Sequence, residues 1–215
     1  MSESLRNKAV KGVAWNTVNT VGNLGINFIV GIILARILMP SDFGAVAMVA
    51  VFTSILTLFT DAGLSTALIR KENRTEDDKC TIFYYNFAAC YIVYGIIYMA
   101  APFIASFYNM PILCNLTRIS NLSLLIGPLA SIQAIHFTIN LDFKTPAFVN
   151  IGCSIFSSVI AIWMAYNGYG IYALAVPSVL TTVLRVILLI AIVKWKPTKR
   201  FSKSSFKELI GSSSK

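Results

Sequence analysis

WNTVNTVGNLGINFIVGIILARIL, residues Trp15 to Leu38, reads as a membrane-crossing helix with a polar seam cut into it. From Gly12 to Ala35 no side chain is charged, and at about 1.5 Å of rise per residue this run gives roughly 36 Å of helix against about 30 Å of hydrocarbon. Asn16, Asn19, Asn23 and Asn27 recur at spacings of three, four and four. At about 100° per residue they fall on one narrow stripe. Amides facing lipid are costly, so the helix belongs in a bundle and the stripe faces other helices or water. Interhelical hydrogen bonding and a hydrated cavity both fit this spacing.

The rest of the composition agrees with a bilayer protein. Of 215 residues 56% are hydrophobic and 13% charged, with a mean hydropathy of +0.71; a soluble domain carries about a quarter charged residues. A net charge of +9 would suggest nucleic acid in a soluble chain. Here Lys and Arg cluster in the gaps between apolar runs, as the positive-inside rule places them, so no nucleic-acid partner is expected. The first apolar run is too long for a signal-peptide core and has no small-x-small site at its end, so it is expected to be retained. Cys80, Cys90, Cys114 and Cys153 are widely spaced, with no metal-ligand pattern. They read as small buried hydrophobes, and no metal or cofactor is expected.

Further apolar runs follow. Phe43 to Ile69 is interrupted only by Asp61, and a solvated loop of both charge signs spans Arg70 to Lys79. Pro102, Asn109 and Pro111 are expected to end a third span of about Thr81 to Phe103, followed by a short uncharged loop. A fourth span is expected from Ile119 to Leu141, between Arg118 and Asp142, kinked at Gly127-Pro128. The turn signals of Asn167-Gly168-Tyr169-Gly170 divide a fifth span, Ala147 to Tyr166, from a sixth, Ile171 to Val193. The expected fold is therefore all-α, a six-span transmembrane bundle over residues 1–193. Residues 194–215 form a basic, serine-rich cytoplasmic linker, in which Phe201, Phe206, Leu209 and Ile210 suggest an interfacial amphipathic segment. Fifteen of the 18 Lys and Arg fall on the side holding both ends, and only Arg36 and Arg118 on the other. That asymmetry puts both ends in the cytoplasm. A second unit of this kind would insert in the same orientation, as the second lobe of a two-lobe transporter does.

Several polar groups inside the runs are candidates for chemistry. Asp61 and Arg185 each lie nine residues from the cytoplasmic end of their spans, so at about 1.5 Å per residue they share a depth of about 13 Å. Either charge alone in hydrocarbon would cost about 2.5 to 3.5 kcal/mol, which favours an interior ion pair. The alternative is that Arg185 faces a cavity and attracts a pyrophosphate or acidic sugar through bidentate hydrogen bonds, with Asp61 as a coupling carboxylate. His136, with Gln133 and Asn140, is expected on one helical face, for helix-to-helix bonding or substrate contact. Arg36 and Asp42 flank Pro40 as a tight corner or a gate, and Asp42 suits the start of the next helix. Tyr84, Tyr91, Tyr94 and Tyr98 form an aromatic stripe that packs, anchors or stacks on sugars. Thr53, Thr57 and Thr60, and Asn150, Ser154 and Ser157, add further polar seams. No nucleophile, acid/base pair or Walker motif is evident, so the chain is not expected to be an enzyme.

Two stretches add a resemblance. LARILMPSDFG (Leu34 to Gly44) and DAGLSTALIRK (Asp61 to Lys71), with Leu141-Asp142-Phe143, NGYGIYALAVP (Asn167 to Pro177) and Arg185 followed by Lys194-Trp195-Lys196-Pro197, resemble the polysaccharide flippases of the multidrug/oligosaccharidyl-lipid/polysaccharide exporter superfamily. The similarity is to the lipopolysaccharide and teichuronic-acid exporter branch. Met39 replaces a usual glycine and Tyr172 a frequent tryptophan. The resemblance implies the N-terminal lobe of a longer transporter in the bacterial cytoplasmic (inner) membrane, flipping lipid-linked oligosaccharide by alternating access. Implied partners are the bilayer, that lipid-linked substrate, and glycosyltransferases or a polymerase. Asn16, Asn19, Asn23, Asn27, Gln133, His136 and Arg185 would then contact substrate. A cation-coupled multidrug exporter and a non-transporting scaffold for polysaccharide assembly enzymes are the rival readings.

Overall fold

Each apolar run folds as a helix, and each helix ends where local chemistry stops it. The computed structural model describes residues 3–61, 68, 75–193, 202 and 206. The helices are α1 (Glu3–Ala35), α2 (Pro40–Asp61), α3 (Glu76–Phe107), α4 (Ile112–Ser120), α5 (Leu122–Ile126), α6 (Pro128–Ile139), α7 (Lys144–Tyr166) and α8 (Tyr172–Val193). The described residues make an all-α, multi-pass membrane protein: Val10–Ala35, Glu76–Phe107, Ile112–Ser131, Lys144–Tyr166 and Tyr172–Val193 are each long and apolar enough to cross a bilayer. Five of the six expected spans are thus found among the described residues, and the second, Phe43 to Ile69, lies partly outside them. α2 contributes a shorter apolar stretch, Pro40–Ile55.

The corners are built from short-range hydrogen bonds. Asp42 Oδ2 accepts the Met39 N–H at 3.2 Å at the start of α2, so an acidic group sits at a helix N-terminus whose dipole favours it. Thr75 and Asp78 form a reciprocal capping box at the start of α3. Asp142 accepts from the backbone N–H of Lys144 and Thr145 and from the Thr145 hydroxyl, the last at 2.7 Å, which seats α7. Leu141 beside it takes φ 55°, a left-handed conformation that costs a non-glycine residue about 1 to 3 kcal/mol. Gly168 takes φ 78° in the expected turn between α7 and α8.

Two expected boundaries are corrected. Pro102 does not end α3, which continues to Phe107; membrane bundles re-satisfy the backbone around a helical proline. The break comes at Asn109, with φ 53°. The region expected to be an uncharged loop after Pro111 is helical from Ile112, and the fourth crossing is broken twice. Gly127-Pro128 is one break, as expected, because Pro128 has no N–H to continue the ladder. Asn121 is the other: its side-chain amide donates to the Thr117 carbonyl at 2.8 Å, offering that carbonyl a partner outside the ladder.

α8 is the centre of the bundle. It contributes Ala175, with Ile171 just before it, to a cluster with Ala45, Val49, Ala105 and Leu113, Ala173 to one with Leu34, Ala161 and Ala165, and Val186 and Leu189 to one with Ala130 and Phe137. Alanine at these contacts lets helices approach closely, which dispersion and packing reward inside lipid. α1 sits at the edge and packs mainly on α7. Trp15 lies against Phe148 with ring centroids 5.2 Å apart, while Val13, Leu24 and Phe28 stay exposed on the opposite flank. In the tail, Phe206 packs with Leu68, Ile82 and Ile135 rather than lying free, and its ring is 5.4 Å from that of Tyr85. Phe201, Leu209 and Ile210 fall outside the described residues.

The α1–α7 contact makes a prediction. A Cβ on Gly12 would stand 2.6 Å from the Phe143 ring, so Gly12→Leu should destabilise the folded chain by about 1 to 3 kcal/mol, the usual cost of overpacking. Phe143→Ala in the same chain should recover part of it, measured by denaturant unfolding in mild detergent.

Candidate functional site

Arg185, halfway along the apolar α8, decides where the site lies, because a guanidinium in a membrane span must face protein or water. It lines a cavity of about 360 Å³ walled by α8 itself and by five other helices: Thr60 from α2, Asn86 and Cys90 from α3, Ser123 from α5, Ser131 from α6, and Asn150 from α7. Nε of Arg185 and Oδ1 of Asn86 are buried without hydrogen-bond partners among the described residues. An unmet cationic donor and an unmet acceptor in one cavity suit an anionic ligand that also carries hydroxyls. The double break at Asn121 and Gly127-Pro128 is what brings Ser123 and Gly127 to this wall.

A second cavity of about 260 Å³ lies further along α7 and α8, against α1. Asn27, Ser154, Ser157, Ser158, Ser178 and Thr181 line it, and Ser157 Oγ is buried without a partner among the described residues. Its lining is uncharged. Asn150 and Ser154 are one turn apart on α7, and Arg185 and Thr181 one turn apart on α8, so the two cavities share the same helix pair.

The asparagine stripe is thereby divided. Asn23 donates to the Asn19 carbonyl at 2.8 Å and to Asn19 Oδ1 at 2.9 Å, and it accepts from the Ser154 hydroxyl at 2.5 Å. Asn19 and Asn23 thus join α1 to α7, while Asn27 reaches the second cavity and Asn16 stays exposed. None of the four lines the cavity of Arg185.

Other expected groupings come apart. Gln133 is buried and His136 exposed, so neighbouring positions meet different surroundings; His136 Nε2 meets the Asn140 amide at 2.9 Å. Positions 133 and 136 are about 60° apart around a helix, and the edge of the packed face of α6 falls between them. Neither lines either cavity. The side chain of Asp61 lies outside the described residues, and with it the Asp61–Arg185 pair. Among the described residues no ion pair joins Arg36 to Asp42, which serves the corner instead. Asn86 was not singled out in the sequence. An amide among the 38 uncharged residues from Cys80 to Thr117 was the available signal, masked by the neighbouring tyrosines.

Comparison with known proteins gives the following. Residues 33–215 match the family model described as "Polysaccharide biosynthesis protein". The chain is 29% identical over 204 residues to the succinoglycan biosynthesis transport protein ExoT of Rhizobium meliloti (strain 1021), covering 94% of this chain and 41% of the relative. It is 25% identical to the teichuronic acid biosynthesis protein TuaB of Bacillus subtilis (strain 168), over 72% of this chain and 32% of that one. With the lipopolysaccharide biosynthesis protein WzxC of Escherichia coli (strain K12) it is 23% identical over 58% of this chain and 25% of the other. The chain therefore spans less than half the length of these relatives. No solved structure matches.

The Asn23–Ser154 bond is testable. A double-mutant cycle with Asn23→Ala and Ser154→Ala should give a coupling of about 0.5 to 1.5 kcal/mol, the usual range for interhelical hydrogen bonds in membranes, read from unfolding in mixed micelles.

Proposed function

We propose, starting from the fact that this chain belongs to the polysaccharide biosynthesis protein family, that it is the N-terminal lobe of a transporter that moves lipid-linked oligosaccharide across the bacterial inner membrane by alternating access. The observation that carries this reading is the Nε of Arg185, buried and without a partner among the described residues, in a cavity otherwise lined by amides, hydroxyls and apolar groups. Such a set recognises a phosphate or pyrophosphate joined to sugars: the guanidinium takes the phosphate oxygens in a fixed fork, and the amides take hydroxyls. A lipid tail would stay in the bilayer beside the bundle. A purely apolar drug would leave Arg185 and Asn86 unmet, which disfavours the drug-exporter reading. The uncharged cavity against α1 suits sugar rings, so Asn27 joins the proposed contacts while Asn19 and Asn23 hold the wall behind them. On this reading residues 1–193 are the lobe and 194–215 the linker to the next, with both in contact with the cytoplasm. The chain transports rather than catalyses, and glycosyltransferases or a polymerase supply and use its cargo.

In cells whose surface polysaccharide depends on the protein, Arg185→Gln should reduce export about tenfold or more, as the loss of one or two charged hydrogen bonds predicts. Lipid-linked intermediate should build up on the inner leaflet, and Arg185→Lys should retain part of the activity. Measuring that intermediate by mass spectrometry decides the matter: unchanged levels in Arg185→Gln would rule out this role for the arginine.

A further inference from the structure

Arg118 is a second guanidinium inside a crossing, and the proposed transport cavity does not contain it. Its Cζ lies 4.0 Å from the centroid of the Tyr98 ring, a cation–π contact, and Tyr94 lies beside Tyr98 with centroids 6.1 Å apart. Among the described residues its buried Nε has no hydrogen-bond partner and no carboxylate pairs with it. A ring face offsets only part of a cation's charge. The remaining donors call for an anion.

The position of Tyr98 within α3 says which anion can reach them. α3 has 32 residues, about 48 Å at 1.5 Å each, and exceeds the roughly 30 Å of hydrocarbon. Glu76, Asp77, Asp78 and Lys79 crowd its first turn, and Lys79 is ion-paired to Glu76 at 2.8 Å. These charges keep that end at the aqueous boundary. The apolar layer then runs from about Thr81 to about Ala101, some twenty residues on. Tyr98 falls about 5 Å inside the opposite boundary. Phe103 and Phe107 lie beyond it, both exposed, at the level where aromatic residues line the interface. Tyr98 itself is 44% exposed on the flank of α3, so the cluster opens sideways toward lipid.

We infer that Arg118, oriented by Tyr98, binds the phosphate of an anionic phospholipid in the leaflet opposite the charged end of α3. The phosphate of such a lipid sits within one side-chain length of this depth, and the arginine gives it paired N–H donors while its stem stays among apolar groups. The site is independent of Arg185 and of the transport reading.

The test is native mass spectrometry of the purified chain equilibrated with phosphatidylglycerol or with phosphatidylcholine. The wild type should retain phosphatidylglycerol in preference, and Arg118→Gln should hold one fewer per chain, with affinity at that site down about tenfold or more. Arg118→Lys should keep the preference, and Arg36→Gln should leave the Arg118-dependent lipid in place. Equal retention of the two lipids by the wild type, or an unchanged count in a folded Arg118→Gln, would overturn the inference. Displacement of the lipid by millimolar inorganic phosphate would reassign the site to a free anion and overturn it equally. If Arg118→Gln does not fold, loss of the preference in Arg118→Lys decides against it.

Discussion

A guanidinium placed halfway along an apolar helix has to be enclosed, and most of this bundle is arranged around that requirement. Arg185 lies on α8, the helix that contributes to three of the hydrophobic clusters. Its neighbours in space are amides and hydroxyls from helices far apart in the chain. Because lipid offers no hydrogen bonds, each of those polar groups is stabilised by the same inward turn that shelters the arginine. The alanines of α8 let neighbouring helices come close enough to form the walls.

Polar groups in the spans divide into those that are met and those that are not. Asn19, Asn23 and Ser154 satisfy one another and hold an edge helix in place. Among the described residues Arg185, Asn86 and Ser157 keep donors or acceptors open, and each lines a cavity. Open groups cost stability that a chain selected for folding alone would recover by pairing them. These three groups line the two cavities on the α7–α8 pair, where we propose that cargo binds.

The stretches that carried the family resemblance work mostly at the corners. In LARILMPSDFG, Asp42 closes the turn into α2 by accepting the Met39 N–H. In Leu141-Asp142-Phe143, the strained Leu141 and the capping Asp142 set Phe143 against Gly12 and so seat α1 on α7. NGYGIYALAVP supplies the left-handed glycine of the next turn and the small residues of α8. Corner chemistry is local, set by a few residues that lie close together in the chain. That is why a family can be recognised by it while the cavity lining, read one residue at a time, looks ordinary.

Read alone, the sequence determined the membrane class, the all-helical architecture and most helix ends, because these rest on apolar run length, proline, glycine and capping residues within a few positions of one another. It was misleading at Pro102, where neighbouring helices decide whether a proline ends a span, and just after Pro111, where a helix rather than a loop begins. It could show that Asn16, Asn19, Asn23 and Asn27 share a stripe, and that Arg185 must face inward. Only the tertiary structure decided that Asn23 is spent on Ser154 and Asn19 on Asn23, that Gln133 is buried and His136 exposed, and that Asn86 and Asn150 are among the residues that join Arg185. Helical periodicity fixes direction around one axis. Which faces meet depends on the rotation and depth of every helix against its neighbours, and no spacing within a single helix records that.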